Sequence, residues 1–358
     1  MKLPSVEVIV LNYKGADLTI KAVESLLITD YRNFTITLVD NGSKDGSVET
    51  FKKNFGKKVK LIANSNNLGF SGGNNVAMRK SKSKYVCLFN NDAVATRSWL
   101  KNLVDFMEEH EDVGACQSKV LSLRDPNKFE YAGAAGGMID VFGYPICRGR
   151  VFDEIEMDRG QYDNSFECFW ACGVSMMLRK SALDKVGYLD ENFFMYGEEL
   201  DLSWRMHLAG YKVYCVPSSI IYHLGRGTAG KKENRSNSEY LLHRNHFTIL
   251  FKNYSSATLA KILPAKFILE AMTFGAFLFR KPDVSYASLR SMLWVLTNPR
   301  FLIRKHNENK KIRNVSDKEV MKNMINSSTP LLYFIGGKKR FNDYKKYAPY
   351  LQESKDEQ

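Results

Sequence analysis

The chain has few of the features that settle a protein's class at sight. None of its six cysteines (Cys87, Cys116, Cys147, Cys168, Cys172, Cys215) stands in a CxxC pair, and all lie in apolar stretches, so they read as reduced, buried thiols and not as a disulfide framework. Cys168 and Cys172 have the spacing to share a helix face and bind metal, but isolated cysteines are commonly just small core residues. No GxGxxG follows the first strand-like run and no GxxxxGK[ST] occurs, which disfavours a dinucleotide site and removes a P-loop. A secretory leader is missing too: MKLPSVEVIVLN runs straight into a strand, so a cytoplasmic location is expected. The longest apolar run, ILPAKFILEAMTFGAFLF (262–279), is near the lower limit for crossing a bilayer and is broken by Pro264, Lys266 and Glu270. Disorder is excluded by a composition that is 44% hydrophobic and 25% charged; 358 residues allow one large domain with an appendage, or two domains.

Acidic residues are scarce in the last third. From Ser236 onward there are 21 Lys and Arg against 10 Asp and Glu, so +11 of the chain's net +13 lies there. That stretch interleaves aromatic and basic residues in helix-like segments without any recognised nucleic-acid-binding motif, a mixture that suits anionic lipid better than nucleic acid. Within it Lys266, Glu270 and Thr273 fall on one narrow stripe of a helical wheel, with Arg280 and Lys281 closing the end. The stripe favours a helix lying in a membrane interface, or packed on the protein, over one that crosses.

The first part of the chain alternates strands and helices. VEVIVLN (6–12), FTITLVD (34–40), VKLIAN (59–64) and YVCLFNND (85–92) are short β-branched or apolar runs, each followed by helical spacing. Such alternation implies right-handed crossovers and a mostly parallel sheet covered on both faces. Ligands of such sheets sit at the carboxyl ends of the strands. Asn12, Asp40 to Gly42, NSNNLGFSGG (64–73) and Asn90 to Asp92 all fall on that rim. Asn, Asp and Gly make turns for their own reasons, but four consecutive strands delivering them to one edge exceeds what turns require. Gly69, Gly72 and Gly73, just before a helix, are expected to let backbone N–H groups approach phosphates. Residues 122–163 are Gly-rich and without clear period, and read as an insertion carrying a small hairpin.

Further on, MYGEELDLSWR puts Glu198, Glu199 and Asp201 in the first turn of a helix, with Trp204 and Leu208 on its buried face. The helix dipole stabilises acids there, yet three exceed that need, and one carboxylate could serve as general base for an alcohol. His223 ends another apolar run; alone it reads as a core histidine, and its value depends on Asp92 being nearby.

In this order the motifs VIVLNYKG, LVDNGSKDGS, NLGFSGGNN, LFNNDA, GVSMMLRKSALDKVGYLDENFF and YGEELDLSWRMHLAGYKV resemble the family 2 glycosyltransferases with the nucleotide-diphosphosugar fold called GT-A, especially their rhamnosyltransferase-like branch. The resemblance covers about residues 6–226. It implies a GT-A catalytic domain over 1–235 and a helical, basic extension over 236–358, with membrane association left open. It implies that Asp92, in the place of a DxD motif whose first acid is here Asn90, binds Mg²⁺ or Mn²⁺ with His223. Asn12, Asp40, Asn67, Gly69, Asn74 and Asn91 would line the nucleotide sugar, with Asp40 reading a pyrimidine. Glu199 would be the catalytic base, with Glu198 and Asp201 as alternates. The implied reaction is inverting transfer of a hexose, rhamnose from dTDP-rhamnose or a UDP-linked sugar, to a lipid-linked or glycan acceptor at the inner face of the membrane. A sugar-nucleotide or glycan-binding subunit without activity is the other class considered, and homo-oligomerisation is left open.

Overall fold

A computed structural model describes residues 3–225 and 235–353. The chain begins with β1 (Val6–Asn12), α1 (Ala16–Leu27), β2 (Phe34–Asp40), α2 (Ser47–Phe55), β3 (Lys60–Ala63), α3 (Gly69–Met78) and β4 (Tyr85–Asn90). These four strands pair in parallel in the order β4-β1-β2-β3, as the strand–helix alternation predicts. Val8, Ile9, Val10, Leu38 and Val39 are fully buried, because helices cover both faces and each side chain of an up-and-down pleat meets apolar neighbours.

The sheet then changes direction. After β5 (Ala93–Ala95), α4 (Trp99–Glu109) and β6 (Val113–Ser122) comes a second, four-stranded antiparallel sheet: β7 (Gly137–Ile139), β8 (Pro145–Cys147), β9 (Arg150–Val151) and β10 (Glu154–Ile155). This is the aperiodic insertion, larger than the single hairpin expected from its sequence. β11 (Phe166–Glu167) and β12 (Ser175–Arg179) follow, then α5 (Lys180–Val186), α6 (Glu198–Leu208) and β13 (Lys212–His223). β12 inserts antiparallel between β4 and β6, while β13 runs parallel to β6 and antiparallel to β5, so the main sheet is mixed beyond β4.

The rest is helical: α7 (Arg235–Asn253), α8 (Ser256–Phe277), α9 (Pro282–Thr297), α10 (Pro299–Glu308), α11 (Asp317–Val320), α12 (Thr329–Phe334) and α13 (Pro349–Glu353). α7 packs on α6, α9 and α10, and α8 lies along α9. Ile249, Leu250 and Tyr254 from α7 and its end, and Met324, Ile325 and Tyr344 farther on, belong to the same continuous apolar core as the sheet. Among the described residues no helix is long and apolar enough to cross a membrane. All six cysteines are free and buried, and burial pushes the thiols of Cys168 and Cys172 well up, so neither is a ready metal ligand.

Candidate active site

Polar side chains at the ends of β1, β2 and β4 bond to one another. Asn12 donates from Nδ2 to Asp40 Oδ2 at 2.8 Å and to Ser43 Oγ at 3.2 Å, while its Oδ1 accepts from Thr19 Oγ1 at 2.8 Å and from the Gly15 amide at 3.2 Å. Asp40 accepts also from Ser43 Oγ at 2.6 Å and Ser43 N at 3.0 Å. Asn91 joins the group by donating to Thr19 Oγ1 at 3.1 Å. Buried polar groups must find partners, and by finding them here they fix three strand ends relative to each other. Beside this network opens a cavity of about 540 Å³ whose lining includes Tyr13, Lys14, Ser43, Lys44 and Asn67. An aromatic ring, two ammonium groups and adjoining amides and hydroxyls are the chemistry that a base with attached phosphates requires.

The glycine-rich stretch does something other than the sequence suggests. The amides of Phe70 and Ser71 donate to Phe194 O at 2.7 and 3.4 Å, the Gly69 amide to Asn67 Oδ1 at 2.9 Å, and the Leu68 amide to Asn41 Oδ1 at 3.2 Å. Of the three glycines expected to offer amides to phosphate, Gly69 therefore has its N–H taken inside the protein, as do its neighbours Leu68, Phe70 and Ser71. Gly69 is needed for close approach: its φ is +71°, and a Cβ there would lie 2.4 Å from Phe194 O. Asn74 is likewise turned inward, donating to Phe70 O at 2.9 Å. The hub is Asn41, which sequence reading placed on the rim without a role; it donates to Asn67 Oδ1 and Gly69 O and accepts from Asn64 Nδ2 at 3.1 Å. Its place in LVDNGS was the available signal.

At the end of β4, Asp92 Oδ1 lies 2.9 Å from His223 Nε2, and Asn90 Nδ2 lies 3.4 Å from the same nitrogen. The antiparallel pairing of β5 with β13, in register His223 to Ala93, brings together two residues 131 apart in sequence. His223 Nδ1 is buried without a hydrogen-bond partner and is 4.0 Å from Glu130 Oε1. Glu130 lies in the aperiodic insertion, where no pattern could single it out. The carboxylate and the Nε2 face of the imidazole are the donor types that a divalent cation accepts, while the unpartnered Nδ1 lies on the other side of the ring, toward Glu130. Among the described residues no group of three or more His, Cys, Asp or Glu forms a cage. A cation here would thus need oxygens from a ligand to complete its shell.

The acids of α6 divide into two kinds. Asp201 is fully buried and accepts from Arg205 Nε at 2.9 Å, Lys252 Nζ at 2.8 Å and Asn253 Nδ2 at 3.0 Å. Burial alone raises its pKa, but Arg205 and Lys252 override this and hold it below the usual carboxylate range. Asp201 is a structural anion, and its candidacy as an alternate base is corrected accordingly. Glu198 and Glu199 each keep a buried carboxylate oxygen, Oε2, with no hydrogen-bond partner. Burial pushes the Glu198 carboxyl well above the usual range, with the Glu199 charge adding to it; burial raises Glu199 as well, against backbone N–H groups that lower it. Of the two, Glu199 is half-buried and Glu198 buried, although the Oε2 of each is shielded. The turn before them is strained: Phe194 and Tyr196 have φ of +64° and +71°, and Gly197 caps α6 in the left-handed region at +87°.

Four residues connect the Asp92 end to this helix. Val174 O accepts from Asn90 N at 3.0 Å, and Ala171 N donates to Ser203 Oγ of α6 at 3.3 Å. Between them the Cys172 thiol is pushed up by burial and by the nearby Glu199 carboxylate. A stretch of four residues spans at most about 14 Å, so it ties Asn90 at the end of β4 to Ser203 of α6, with the Glu199 carboxyl close enough to Cys172 to act on its thiol.

With this geometry described, the comparisons with known proteins are informative. Residues 7–187 match the family described as glycosyl transferase family 2. An uncharacterized glycosyltransferase of Haemophilus influenzae is 21% identical over 72% of this chain and 80% of its own length. An N-acetylglucosaminyl-diphospho-decaprenol L-rhamnosyltransferase of Mycobacterium tuberculosis is 25% identical over 58% of this chain and 72% of its own. Two further relatives are far longer, the chain spanning 17% and 25% of them. In fold, the crystal structure of GalNAc-T7 with UDP, GalNAc and Mn²⁺ is similar at a TM-score of 0.57 and 13% identity, covering 85% of this chain and 58% of that one. The sheet is that of the GT-A fold, and with the matched segment running from the first strand to the end of α5, the chain belongs to glycosyl transferase family 2.

Proposed function

We propose that the chain is an inverting, metal-assisted glycosyltransferase that moves a hexose, rhamnose from dTDP-rhamnose or a UDP-linked sugar, to a hydroxyl of a lipid-linked or polysaccharide acceptor. The observation that supports this reading is the Ala171–Val174 stretch, bonded at one end to Asn90, near the Asp92–His223 pair, and at the other to Ser203 of α6, the helix that opens with Glu198 and Glu199. The cavity beside Asp40 and Asn67 receives the nucleoside, with Asn12 and Asn91 holding its floor and Lys14 and Lys44 facing the diphosphate. Asp92 and His223 would hold Mg²⁺ or Mn²⁺, which when bound would supply positive charge against that developing on the leaving diphosphate. Glu199 accepts the proton of the acceptor hydroxyl as that oxygen attacks the anomeric carbon from the face opposite the diphosphate. The bond to the diphosphate breaks as the new glycosidic bond forms, and configuration inverts. Glu199, the more exposed of the two, is assigned the role over Glu198. The rhamnosyltransferase relative supports rhamnose as the sugar and a lipid diphosphate as the acceptor anchor, and the basic C-terminal helices support work on an anionic membrane surface.

The test is Glu199→Gln. Transfer should fall by about 10²–10⁴-fold, the range of a lost general base, while protection of the protein against thermal unfolding by nucleotide sugars persists. Transfer at the wild-type rate would refute the assignment, and protection by no nucleotide sugar would refute the function. Removing divalent metal with EDTA should stop transfer and Mn²⁺ restore it; full turnover in EDTA would remove Asp92 and His223 from that role.

A further inference from the structure

Helix α8 is built inside out. A surface helix in water buries its apolar stripe and exposes its charges. In α8 the polar stripe is the buried one: Lys266 and Glu270 are both 0% exposed. Glu270 accepts from His243 Nδ1 of α7 at 2.7 Å, from Ser288 Oγ of α9 at 2.7 Å and from Tyr144 Oη of the small sheet at 3.1 Å. Lys266 Nζ sits 2.9 Å from Glu270 and 3.6 Å from the centre of the Tyr144 ring. The outward face carries Pro264, Ile268, Ala271, Met272, Gly275, Ala276 and Phe279 and no charged residue between positions 264 and 279. Ile268 is 62% and Phe279 93% exposed.

The apolar surface continues past the helix end. The Phe277 and Phe334 rings meet edge to face at 6.1 Å, which joins α12 to the tip of the α8–α9 hairpin, and Phe334 and Ile335 are 61% and 74% exposed. Cations border it: Lys261 at the start of the face, Arg280 and Lys281 at the tip and Lys338 beside α12. A patch this apolar marks an interaction surface.

Resting on the membrane placement proposed above, we propose that this face is the one that enters the bilayer: α8 lies along the interface, the Phe279 tip is immersed, and Arg280, Lys281, Lys261 and Lys338 contact anionic headgroups. A bilayer, and not a second copy of the chain, is the occupant because pairing two such faces brings two basic rims together, whereas anionic lipid neutralises each rim. The buried polar stripe gives the arrangement its firmness. Through Glu270 it ties the immersed helix to α7, whose Asn245 holds the carbonyls of Phe193, Met195 and Tyr196 just ahead of Glu198 and Glu199.

The experiment is flotation of the full chain with vesicles of phosphatidylcholine alone and of phosphatidylcholine with phosphatidylglycerol. Wild type should float with the anionic vesicles and several-fold less with the neutral ones. The triple variant Ile268→Asn, Met272→Asn, Phe279→Ser alters only side chains facing outward; it should lose flotation by tenfold or more while keeping its melting temperature and its stabilisation by nucleotide sugar. Arg280→Glu with Lys281→Glu should abolish the preference for anionic lipid. If wild type floats and the triple variant floats equally, the face is wrong and the membrane placement stands. If wild type floats with neither vesicle, both fall. A dimer in sedimentation that the triple variant dissociates, without flotation, assigns the face to a second copy and overturns the proposal. Retained nucleotide-sugar stabilisation keeps each of these outcomes separate from the fate of the transferase reading.

Discussion

At the scale of single residues, the site depends on groups left without partners. Glu198 is buried and Glu199 half-buried beside it, and their raised pKa values mean that the folded protein holds protons the unfolded chain has released. Stability contributed in this way is present at acid pH and lost as pH rises from the ordinary glutamate range through the folded values. Glu199→Gln should therefore melt roughly a few degrees above wild type at pH 8 and together with it at pH 4, read by calorimetry across that window; a variant less stable at pH 8 would show that the carboxylate is not strained there. The same shift should move the acid limb of the transfer rate above the usual glutamate range, because only ionised Glu199 accepts a proton. These residues were legible as types, since EELD opens a helix and LFNND ends a strand. Their environments were not legible: whether an acid faces Arg205 and Lys252, as Asp201 does, or nothing at all, as Glu199 Oε2 does, depends on chain segments about 50 residues away.

At the scale of elements, what could be read were the strands and helices whose periodicity repeats over several residues: β1 to β4 with their crossovers, and α6. The small sheet was read only as a hairpin because strands of two or three residues, such as β9 and β10, carry no period. The start of α3 was only partly legible because a glycine-rich sequence has the same look whether its amides face a phosphate or, as those of Phe70 and Ser71 do, the carbonyl of Phe194. For α8 the wheel correctly gave a polar stripe but not its direction, since the partners His243, Tyr144 and Ser288 come from three other elements. The union of α6 and α7 supplies an element-scale prediction. Lys252 of α7 donates to Asp190 at 2.9 Å and Asp201 at 2.8 Å, and Lys305 of α10 adds a second cation to Asp190. Lys252→Met leaves Asp201 with Arg205 alone in a dry setting, and removing one member of a buried ionic cluster costs about 3–5 kcal/mol. Chemical denaturation should show a loss of that size; a loss below about 1 kcal/mol would mean that the cluster relaxes and the helices are held by apolar contact instead.

At the scale of the whole molecule, the basic C-terminal stretch is both a charge carrier and part of the interior. Tyr254 donates to Val141 O at 2.8 Å, Ile325 N donates to Ile139 O at 2.9 Å, and Asp140 accepts from Thr329 N at 2.7 Å, so the small sheet is bonded on its flank to segments far along the chain. The Trp204 ring of α6 meets Tyr254 edge to face at 4.8 Å, and Gly197, which caps the helix of the acids, packs on Ile249. Removing everything after residue 235 would bare this apolar surface and strip Asp201 of Lys252 and Asn253 at once. A piece ending there should therefore aggregate or bind a hydrophobic dye without a cooperative melt, and the intact chain should unfold in one calorimetric transition despite its two contrasting compositions. Two separate transitions, with the first 235 residues folding and binding nucleotide sugar unaided, would show that the extension is an appendage. In that case the acids of α6 would owe their positions to the sheet alone, and the link drawn from the α8 face through α7 to Glu199 would have no mechanical basis.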